Sequence, residues 1–344
     1  MTTTKINANK IMCLGERRVE MEIFELPVDL GDHEIEIETE CSLVSAGTET
    51  AIYAKTHIDF QSDPIPEWTR YPRPLGYALS GKVRRAGSQA GEFPIGSRVM
   101  AMVGHASRVV CDIRKTTIVR IPDNVSNEDA ALLRMAGISL VGVRLAEIAL
   151  GEKVAVVGLG LIGQFGAALS LLSGAERVIG LDFIKERAER AKKNGIDGVV
   201  PVEAGLKKSV IEKTGGAMAE VVMEATGNPK AIASALECAA RGGRVMLMGS
   251  PRGLSTLDCY HHIHASGVAV MGAHEGLASP FATVRDPWTR KKNMETVLAY
   301  KSAGRLPTEG LISHTISHRE ATGIYEKLVA SPEAYLGVII DWKN

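Results

Sequence analysis

Three glycines follow an apolar run at a spacing that has a specific use in protein chemistry. Val154–Val157 reads as a buried strand. Gly158, Gly160 and Gly163 come directly after it in the pattern G-x-G-x-x-G, and an Ala-rich run suited to a helix follows. In such a turn the first glycine permits the tight bend, the second lets the backbone approach a pyrophosphate, and the third lets the helix pack on the strand. We therefore expect a dinucleotide ligand, although G-x-G-x-x-G alone could be an ordinary glycine loop.

The residues around this turn indicate which dinucleotide it would hold. Leu161 and Ile162 open the expected helix, whose free N–H groups and partial positive charge would face the pyrophosphate. Asp182 ends the next apolar run, about twenty residues beyond the last glycine, where a carboxylate holds the ribose 2′-hydroxyl of NAD and repels a 2′-phosphate. Phe183 follows in place of an arginine, while Lys185 is close enough to soften the preference. The sequence predicts NAD as the cofactor in preference to NADP.

The composition is that of an ordinary globular protein and argues against several partners. The chain has 344 residues, 45% of them hydrophobic, and its 40 basic and 40 acidic residues cancel without forming long blocks. This length favours two domains. The balanced, interspersed charges indicate neither a nucleic-acid-binding surface nor a membrane-binding face. The N-terminal segment has no apolar signal-peptide core, and no window reaches the roughly 18 consecutive apolar residues of a membrane span. We expect a cytoplasmic protein that binds a small molecule and neither nucleic acid nor membrane.

The cysteines are odd in number and scattered, with no C-x-x-C pair. This arrangement argues against both a disulfide framework and a clustered zinc site. We expect reduced thiols, mostly buried as small hydrophobic side chains, at Cys13, Cys41, Cys111, Cys238 and Cys259.

The N-terminal part of the chain reads as a β-rich domain. Short strand-like segments are separated by Gly, Pro and Asp turn signals. These segments are Arg18–Phe24, His33–Cys41, Leu79–Arg84, Arg98–Val103 and Ser107–Val110. Among them lies a stretch rich in proline and aromatic residues, including Trp68 and Tyr71, and we expect an ordered loop that forms one wall of a cleft.

The middle of the chain alternates between strands and helices. Asn127–Arg134 and Ile138–Ala149 carry helical patterns, with Ser126 as an N-cap. From Glu152 onward the alternation predicts a parallel, doubly wound sheet. The predicted elements after the glycine helix are Val178–Asp182, Lys185–Asn194, Val199–Val202, Leu206–Thr214, Val221–Glu224, Pro229–Ala240, Gly243–Met248 and Val268–Gly272.

The C-terminal tail ends in an isolated strand that needs a sheet to join. Its predicted elements are the helices Arg290–Ala303 and Arg319–Ala330 and the strand Leu336–Trp342. The first domain is the natural host for this strand. We therefore expect a discontinuous catalytic domain, residues 1–136 and 273–344, and a nucleotide-binding domain, residues 137–272.

Four motifs in this order resemble those of the medium-chain dehydrogenase/reductase superfamily, the alcohol and polyol dehydrogenases. Ser45–Glu49, reading S-A-G-T-E, occupies the place of the family's C-G-T/S-D, and Pro74–Gly81 that of its P-x-x-G-H-E-x-x-G. Gly96–Val99 stands at its G-D-R-V and Gly158–Gly163 at its nucleotide loop. The resemblance covers essentially the whole chain. It implies an α/β fold with a Rossmann doubly wound parallel sheet and a discontinuous β-rich, GroES-like catalytic domain.

The departures from the family pattern decide the chemistry that the resemblance implies. Zinc-dependent members bind the catalytic metal through the Cys of C-G-T-D, the His of G-H-E and a later Cys or acidic residue. Those positions hold Ala46, Tyr77 and Met135, with Ala78 in place of the glutamate. None of the three offers the thiolate, imidazole or carboxylate that Zn²⁺ prefers, so we expect no catalytic zinc, and the four-cysteine structural zinc lobe has no counterpart. An unusual metal site stays an alternative, with the possible ligands Cys41, Glu49, His57 and His105.

Without a metal, oxidation of an alcohol needs a base for the hydroxyl proton and donors that hold the oxygen while hydride leaves. Thr48 corresponds to the family's hydroxyl relay, and Glu49 beside it could accept a proton or bind a substrate hydroxyl. Tyr77 replaces the histidine ligand and should point at the reacting centre, although it could simply fill the space of the metal. His105 follows a glycine at a strand break, and an imidazole suits proton transfer near neutral pH, although a lone histidine is more often structural.

Further residues are expected beside the nicotinamide. Thr226 lies in Glu224–Gly227, which matches the family's turn after the fourth strand of the nucleotide domain. Gly249, Ser250 and Arg252 follow the fifth strand, whose carboxyl end lies next to the nicotinamide in this fold.

Two histidine-containing segments allow more than one interpretation. His274 and Glu275 follow the last predicted strand of the nucleotide domain and could face the same cleft or form a salt bridge at the domain border. His261 and His264 lie i, i+3 apart and would make only a bidentate metal site, so we favour a structural or interface role for them.

The S-A-G-T-E variant resembles a subgroup that contains dehydrogenases of sugars, cyclitols and a bacteriochlorophyllide side chain. We expect a zinc-independent oxidoreductase that transfers hydride between NAD and a secondary alcohol of a sugar, polyol or cyclitol, so its substrate is a polyhydroxylated small molecule. The alternatives are an enal or quinone reductase of the zinc-free branch, and a dinucleotide-binding regulatory protein without catalytic activity. By analogy with the family we expect a homodimer or homotetramer.

Overall fold

The structure is a computed structural model that describes residues 6–200, 205–279, 281–284 and 286–343. The chain divides into two compact units, one made of Met1–Arg134 and Met294–Asn344 and the other of Met135–Asn293. The domain limits predicted from the sequence stay an expectation.

Strands and helices follow one another along the described residues. In chain order the strands are β1 (Ile6–Gly15), β2 (Arg18–Leu26), β3 (Glu34–Val44), β4 (Arg73–Pro74), β5 (Leu79–Ala86), β6 (Arg98–Ala101), β7 (Arg108–Asp112), β8 (Ile118–Arg120), β9 (Lys153–Val157), β10 (Arg177–Leu181), β11 (Asp197–Val199), β12 (Ala219–Glu224), β13 (Ala239–Leu247), β14 (Ala269–Gly272), β15 (Ile312–Ser317) and β16 (Gly337–Asp341). The helices are α1 (Thr48–Tyr53), α2 (Asn127–Leu145), α3 (Leu161–Leu172), α4 (Lys185–Lys193), α5 (Gly205–Lys213), α6 (Pro229–Leu236), α7 (Arg290–Ser302) and α8 (Ala321–Ala330).

The second unit contains a six-stranded sheet whose neighbouring strands are all parallel. The strand order is β11-β10-β9-β12-β13-β14, so the chain builds outward from β9 to one edge and then returns to the other side of β9. Val154–Val157 of β9 is continuously buried, as expected for a parallel strand with both faces covered. The doubly wound parallel sheet predicted from the sequence is confirmed.

This strand order places two turns at the point where the sheet reverses direction. β9 and β12 are neighbours and run parallel, with Val157 opposite Glu224. In open α/β sheets, ligands bind beyond the carboxyl ends of the strands at such a reversal. The turn that begins at Gly158 and the turn that contains Thr226 therefore lie where a sheet of this kind binds its ligand.

The first unit contains a three-stranded and a seven-stranded sheet. The smaller has the order β2-β1-β4, and the larger has the order β15-β16-β3-β5-β6-β8, with β7 also pairing with β3. The C-terminal strand β16 lies antiparallel to β3, with Val338 opposite Val44 and Asp341 opposite Cys41. The prediction that the C-terminal strand joins the N-terminal β-rich part of the chain is confirmed.

Apolar side chains from both ends of the chain share one core in this unit. Tyr325 and Ile340 belong to the same buried cluster as Ile11, Val44 and Ile52. Burying a large apolar side chain stabilises a fold by about 1.5–3 kcal/mol. The C-terminal segment is therefore held by side-chain packing as well as by strand pairing.

Two predicted helix boundaries are wrong. α2 is one continuous helix, Asn127–Leu145, where a break between Arg134 and Ile138 was expected. A glycine inside a helix costs only about 1 kcal/mol relative to alanine, and burial of the apolar residues on both sides outweighs that cost. α6 ends at Leu236, and Ala239 already belongs to β13.

Several elements have no counterpart in the prediction. β1, β8, β15 and α1 are present in the structure but carry no clear alternation or helical period in the sequence. β11 ends at Val199, and part of the predicted strand Val199–Val202 lies outside the described residues. Elements of this kind form because tertiary contacts select them, and local propensity does not encode those contacts.

Two expectations from composition can be compared with the fold. The cysteines are free, four of them are buried, and Cys259 is exposed. Among the residues that the structure describes, no helix has both the length and the apolar character needed to cross a bilayer.

Candidate functional site

Backbone geometry requires glycine at two positions of the turn after β9. Gly158 has a φ of +90°, a region that residues with a side chain rarely adopt. A Cβ atom at this residue would also lie 2.6 Å from Cγ2 of Thr226. At Gly163 a Cβ atom would lie 1.8 Å from the carbonyl oxygen of Gly158, because α3 packs directly on the turn. These two glycines therefore serve the fold of the turn itself.

Gly160 differs from them, because a Cβ atom there would meet no protein atom within 4 Å. Its backbone is extended, with φ −65° and ψ −176°, and it is the N-cap residue of α3. Leu161 and Ile162 open this helix, and its first turn contains no acidic side chain. Its free N–H groups and partial positive charge can therefore face an anion. The open space beside Gly160 and the helix N-terminus fit the pyrophosphate of a dinucleotide.

Asp182 follows β10, and its carboxylate binds the backbone of the glycine turn. Oδ2 accepts a hydrogen bond from the N–H of Leu159 at 2.7 Å, and Oδ1 accepts one from the N–H of Ile184 at 2.8 Å. Nη1 of Arg187 lies 3.8 Å from Oδ2. The carboxylate thus lies at the end of β10, as the sequence predicted. The guanidinium of Arg187 beside it was not predicted. The role of Asp182 at a ribose stays a prediction.

The turns after β12 and β13 pack closely on each other. Gly227 has a φ of +68°, and a Cβ atom there would lie 2.7 Å from the carbonyl oxygen of Ser250. A Cβ atom at Gly249 would lie 2.2 Å from the backbone nitrogen of Gly227. The N–H of Arg252 donates to the carbonyl oxygen of Gly227 at 3.2 Å, and the Arg252 side chain is exposed. The residues predicted to flank a nicotinamide therefore lie together in one pair of turns.

Thr226 holds the first of these turns together. Its N–H and its hydroxyl both donate to Oε1 of Glu224, and its hydroxyl oxygen accepts the N–H of Asn228 at 2.9 Å. Burial raises the pKa of the Glu224 carboxyl above its ordinary value, although the hydrogen bonds from Thr226 oppose that change. Through these hydrogen bonds Thr226 stabilises the conformation of the turn.

A buried carboxylate organises a second group of polar residues, in the first unit. Glu49 lies in the first turn of α1 and is 2% exposed. Oε1 accepts the N–H of Ser45 at 2.7 Å. Oε2 accepts the hydroxyl of Tyr325 at 2.8 Å and lies 3.0 Å from Nε2 of His105. Groups from three separate segments therefore surround one carboxylate.

The ring of His105 continues this group on its other side. His105 is 1% exposed, and its Nδ1 lies 2.8 Å from Oγ of Ser42. The same Ser42 oxygen accepts the indole N–H of Trp342 at 2.9 Å. Gly76, with φ +86°, leaves the room for the ring, since a Cβ atom there would lie 2.6 Å from it. Two of the predicted catalytic residues, Glu49 and His105, thus form one buried hydrogen-bonded group.

The other two predicted catalytic residues meet at the phenol of Tyr77. This hydroxyl donates to Oγ of Ser45, and the hydroxyl of Thr48 is a second hydrogen-bond partner. The guanidinium carbon of Arg134 lies 5.2 Å from the centre of the Tyr77 ring, within range of a cation–π interaction. Burial raises the pKa of Tyr77, and this effect exceeds the opposing ones of Arg134 and the hydrogen bonds. Tyr77 is therefore a neutral phenol at pH 7, able to donate a hydrogen bond.

The residues at the family's zinc positions do not suit a zinc ion. Ala46 has no ligand atom, Met135 offers only a thioether, and Tyr77 offers a neutral phenol that is bound to Ser45. Zn²⁺ prefers thiolate, imidazole and carboxylate ligands. Among the residues that the structure describes, no group of three or more His, Cys, Asp and Glu side chains could hold a metal ion.

The alternative metal ligands bind other protein groups. Sγ of Cys41 lies 3.1 Å from Oγ of Ser80. Nδ1 of His57 accepts the N–H of Asp59 at 3.2 Å and caps a short turn. Glu49 and His105 are paired to each other, so each of the four residues already contacts another protein group.

The remaining histidine segments make local contacts. His261 and His264 lie in a short π-helical turn, where Nδ1 of His261 is 2.7 Å from Oδ2 of Asp258. His274 accepts the N–H of Gly276 at 3.0 Å and caps the turn that begins at Glu275. Both segments have a structural use in the fold.

Several residues of the Glu49 and Tyr77 groups were not predicted from the sequence. Ser45 stood inside the S-A-G-T-E motif but was not assigned a role. Arg134 gave a signal that could have been used, since it is a charged residue in an otherwise apolar run of α2. Ser42, Tyr325 and Trp342 gave none, because they are remote in the sequence from the residues that they contact.

Comparison with known proteins agrees with this geometry. Residues 162–287 match the family described as zinc-binding dehydrogenase. A D-guloside 3-dehydrogenase from Escherichia coli (strain K12) is 25% identical over 323 residues, which cover 88% of this chain and 88% of that protein. The chain belongs to the medium-chain dehydrogenase/reductase superfamily.

Solved structures resemble this superfamily member over nearly its whole length. An alcohol dehydrogenase from Escherichia coli CFT073, complexed with NADH, has a TM-score of 0.79 at 17% identity and covers 97% of this chain and 99% of its own. A structure from Sinorhizobium meliloti 1021, bound to NADP, has a TM-score of 0.78 at 19% identity and covers 98% of this chain and 99% of its own. At this identity the likeness shows the fold alone, and it confirms the fold predicted from the motifs.

Two glycines of the turn, Gly160 and Gly163, should respond differently to alanine. Gly163→Ala should lower the free energy of unfolding by about 1–3 kcal/mol, because its Cβ would overlap the Gly158 carbonyl. Gly160→Ala should change it by no more than about 0.5 kcal/mol but weaken NADH binding about tenfold or more. Thermal unfolding and NADH fluorescence titration measure the two effects. Wild-type NADH affinity in Gly160→Ala would contradict the assignment of the open space to the pyrophosphate.

Proposed function

We propose that this superfamily member is a zinc-independent oxidoreductase that transfers hydride between NAD and a secondary alcohol of a sugar, polyol or cyclitol. One observation carries the proposal: the glycine turn leaves open space for a dinucleotide, while the zinc positions hold Ala46, Tyr77 and Met135. The similarity to a D-guloside 3-dehydrogenase supports a polyhydroxylated substrate. We retain a homodimer or homotetramer as the expected assembly.

In this proposal the hydroxyl groups around Tyr77 take the place of the metal. Bound NAD supplies the acceptor for the hydride. When substrate binds, the Tyr77 hydroxyl turns its hydrogen from Ser45 to the reacting oxygen, and Thr48 holds the same oxygen by a second hydrogen bond. The Ser45 hydroxyl then donates to the phenol oxygen and keeps the ring in place. Donors aimed at the oxygen where negative charge develops stabilise that charge.

The proton of Tyr77 determines how each direction of the reaction depends on pH. Because burial raises its pKa, the phenol keeps its proton at neutral pH and can give it to a carbonyl oxygen during reduction. Alcohol oxidation needs the opposite transfer, which becomes easier as the pH rises toward the pKa of Tyr77. Arg134 lies over the ring and stabilises the phenolate that forms.

Turnover and metal content together test the proposed function. NADH titration followed by a panel of polyols, cyclitols and enals should show NADH binding and NAD-linked oxidation of at least one polyol or cyclitol. Zinc measured in the active protein should be well below one ion per chain, and excess chelator should leave the activity unchanged. Turnover of enals alone would indicate a reductase, and binding without any turnover a non-catalytic protein. One zinc per chain that is removed together with the activity would refute zinc independence.

Replacing the phenol of Tyr77 should remove an acid–base group without removing the ring. Tyr77→Phe should lower the turnover number about 10²-fold or more and abolish the rise of the oxidation rate with pH. Tyr300→Phe is the matched control, because the ring of Tyr300 also lies against a guanidinium, that of Arg305, at 4.7 Å. Its pH–rate profile should equal that of the wild type. A Tyr77→Phe enzyme with an unchanged profile would exclude Tyr77 as the acid–base group.

Cofactor preference should depend on two opposite charges after β10. Asp182→Asn keeps the shape of the side chain but removes its charge, so the ratio of the NADP to the NAD dissociation constant should fall, by about tenfold for a lost interaction of 1.4 kcal/mol. Arg187→Gln removes the neighbouring positive charge and should raise the same ratio. Dissociation constants from fluorescence titration of both reduced cofactors measure it. Unchanged ratios in both variants would remove Asp182 from the ribose site.

A further inference from the structure

The buried group around Glu49 has one member whose hydrogen-bonding role is fixed by its chemistry. An indole nitrogen can only donate a hydrogen bond. The N–H of Trp342 therefore donates to the hydroxyl oxygen of Ser42, at 2.9 Å. This contact fixes the direction of the hydrogen bonds that follow.

The remaining protons can be assigned from that starting point. Ser42 is buried, and among the described residues its hydroxyl has two hydrogen-bond partners, the indole N–H of Trp342 and Nδ1 of His105, 2.8 Å away. Because Trp342 can only donate, Nδ1 is the acceptor that remains for the Ser42 hydrogen. Nδ1 must then be unprotonated, and the neutral ring carries its hydrogen on Nε2, 3.0 Å from Oε2 of Glu49. Tyr325 donates to the same oxygen at 2.8 Å. Because the N–H of Ser45 donates to the other oxygen at 2.7 Å, Glu49 accepts three hydrogen bonds and fits an ionised carboxylate.

The same carboxylate is connected to the phenol of Tyr77 through one residue. Ser45 gives its N–H to Glu49 and accepts the Tyr77 hydroxyl on its side-chain oxygen. A displacement of the Glu49 carboxylate therefore moves Ser45, and with it the orientation of the phenol. His105 and Glu49 are 1% and 2% exposed, so they act on this orientation from inside the protein.

We propose that Trp342 and Tyr325, near the C-terminus, are positioning residues for the Tyr77 hydroxyl. Trp342 acts through Ser42 and fixes the tautomer of His105, Tyr325 acts directly on Glu49, and both keep the carboxylate where it holds Ser45. The part of this inference that concerns catalysis rests on the proposed function. The tautomer of His105 does not depend on any substrate.

The first test reads the tautomer in the unmodified protein. ¹⁵N NMR of histidine-labelled protein at pH 7, with the His105 signals identified by their loss in His105→Gln, should show an unprotonated Nδ1 and a protonated Nε2. Trp342→Phe keeps an aromatic ring but removes the donor, so the two nitrogen signals of His105 should move toward each other as the tautomers mix. An Nδ1–H tautomer or an imidazolium in the wild type would overturn the proposal, whether or not the protein turns over a polyol.

The second test compares two tyrosines that differ in which glutamate they bind. Tyr325 donates to Glu49, whereas Tyr53, whose ring centre lies 5.8 Å from that of Tyr325, donates to Glu326 at 2.9 Å. Tyr325→Phe should lower the turnover number for the polyol found active by about 10-fold to 100-fold, with the KM for NAD unchanged. Tyr53→Phe should leave both constants at the wild-type values.

The outcomes of the second test separate positioning from general stability. A melting temperature lowered equally in both variants, with the turnover number lowered only in Tyr325→Phe, supports positioning. Equal losses of turnover in the two variants, or none in Tyr325→Phe, would overturn it. If the wild type oxidises no polyol or cyclitol, the proposed function fails, and the NMR measurement alone decides the assignment of His105.

Discussion

Burial of the Glu49 carboxylate is the constraint on which the first unit depends. Moving a charged group out of water costs several kcal/mol, and the cost is offset only when hydrogen-bond donors surround the charge. The three donors come from the turn after β3, the loop between β6 and β7, and α8. Removing a partner from a buried charge typically costs about 3–5 kcal/mol. The N-terminal strands and the C-terminal helix must therefore fold together around this one group.

The same constraint bears on how a member of this superfamily could work without zinc ligands. A metal ion brings its charge to the substrate oxygen, whereas hydroxyl donors stabilise a developing charge only if they are already oriented. In our proposal Tyr77 and Ser45 are oriented by the Glu49 carboxylate, which is hydrogen-bonded to Ser45 and which substrate does not need to touch. In the proposed mechanism, with no zinc ligands at positions 46, 77 and 135, the requirement would shift from coordination geometry to the rigidity of a buried hydrogen-bonded group.

The difference between what could and could not be predicted follows from distance along the chain. The glycine turn, the helix that it opens and Asp182 lie within one strand–helix–strand unit, so spacing alone predicted their arrangement. Tyr325 and Glu49 are separated by 276 positions and Trp342 and Ser42 by 300, and no local pattern links such pairs. The sequence identified Glu49 and His105 as candidate catalytic residues. Their contact with each other and their burial could not be predicted, because they are far apart in the sequence. β1 and β15 were missed because neighbouring strands, and not local alternation, select them.

Asp182 shows that predicting the position of a residue from spacing leaves part of its chemistry open. Its spacing from the glycines identified the carboxylate, but the spacing did not reveal that both oxygens accept backbone N–H groups, from Leu159 and Ile184. The side chain is therefore fixed to the turn before any ligand arrives, with Arg187 3.8 Å away. A carboxylate held in this way has a fixed position and orientation. In the proposed ribose site, preference between a ribose hydroxyl and a ribose phosphate would therefore depend on the balance of two neighbouring charges, and not on the presence of an acidic residue alone.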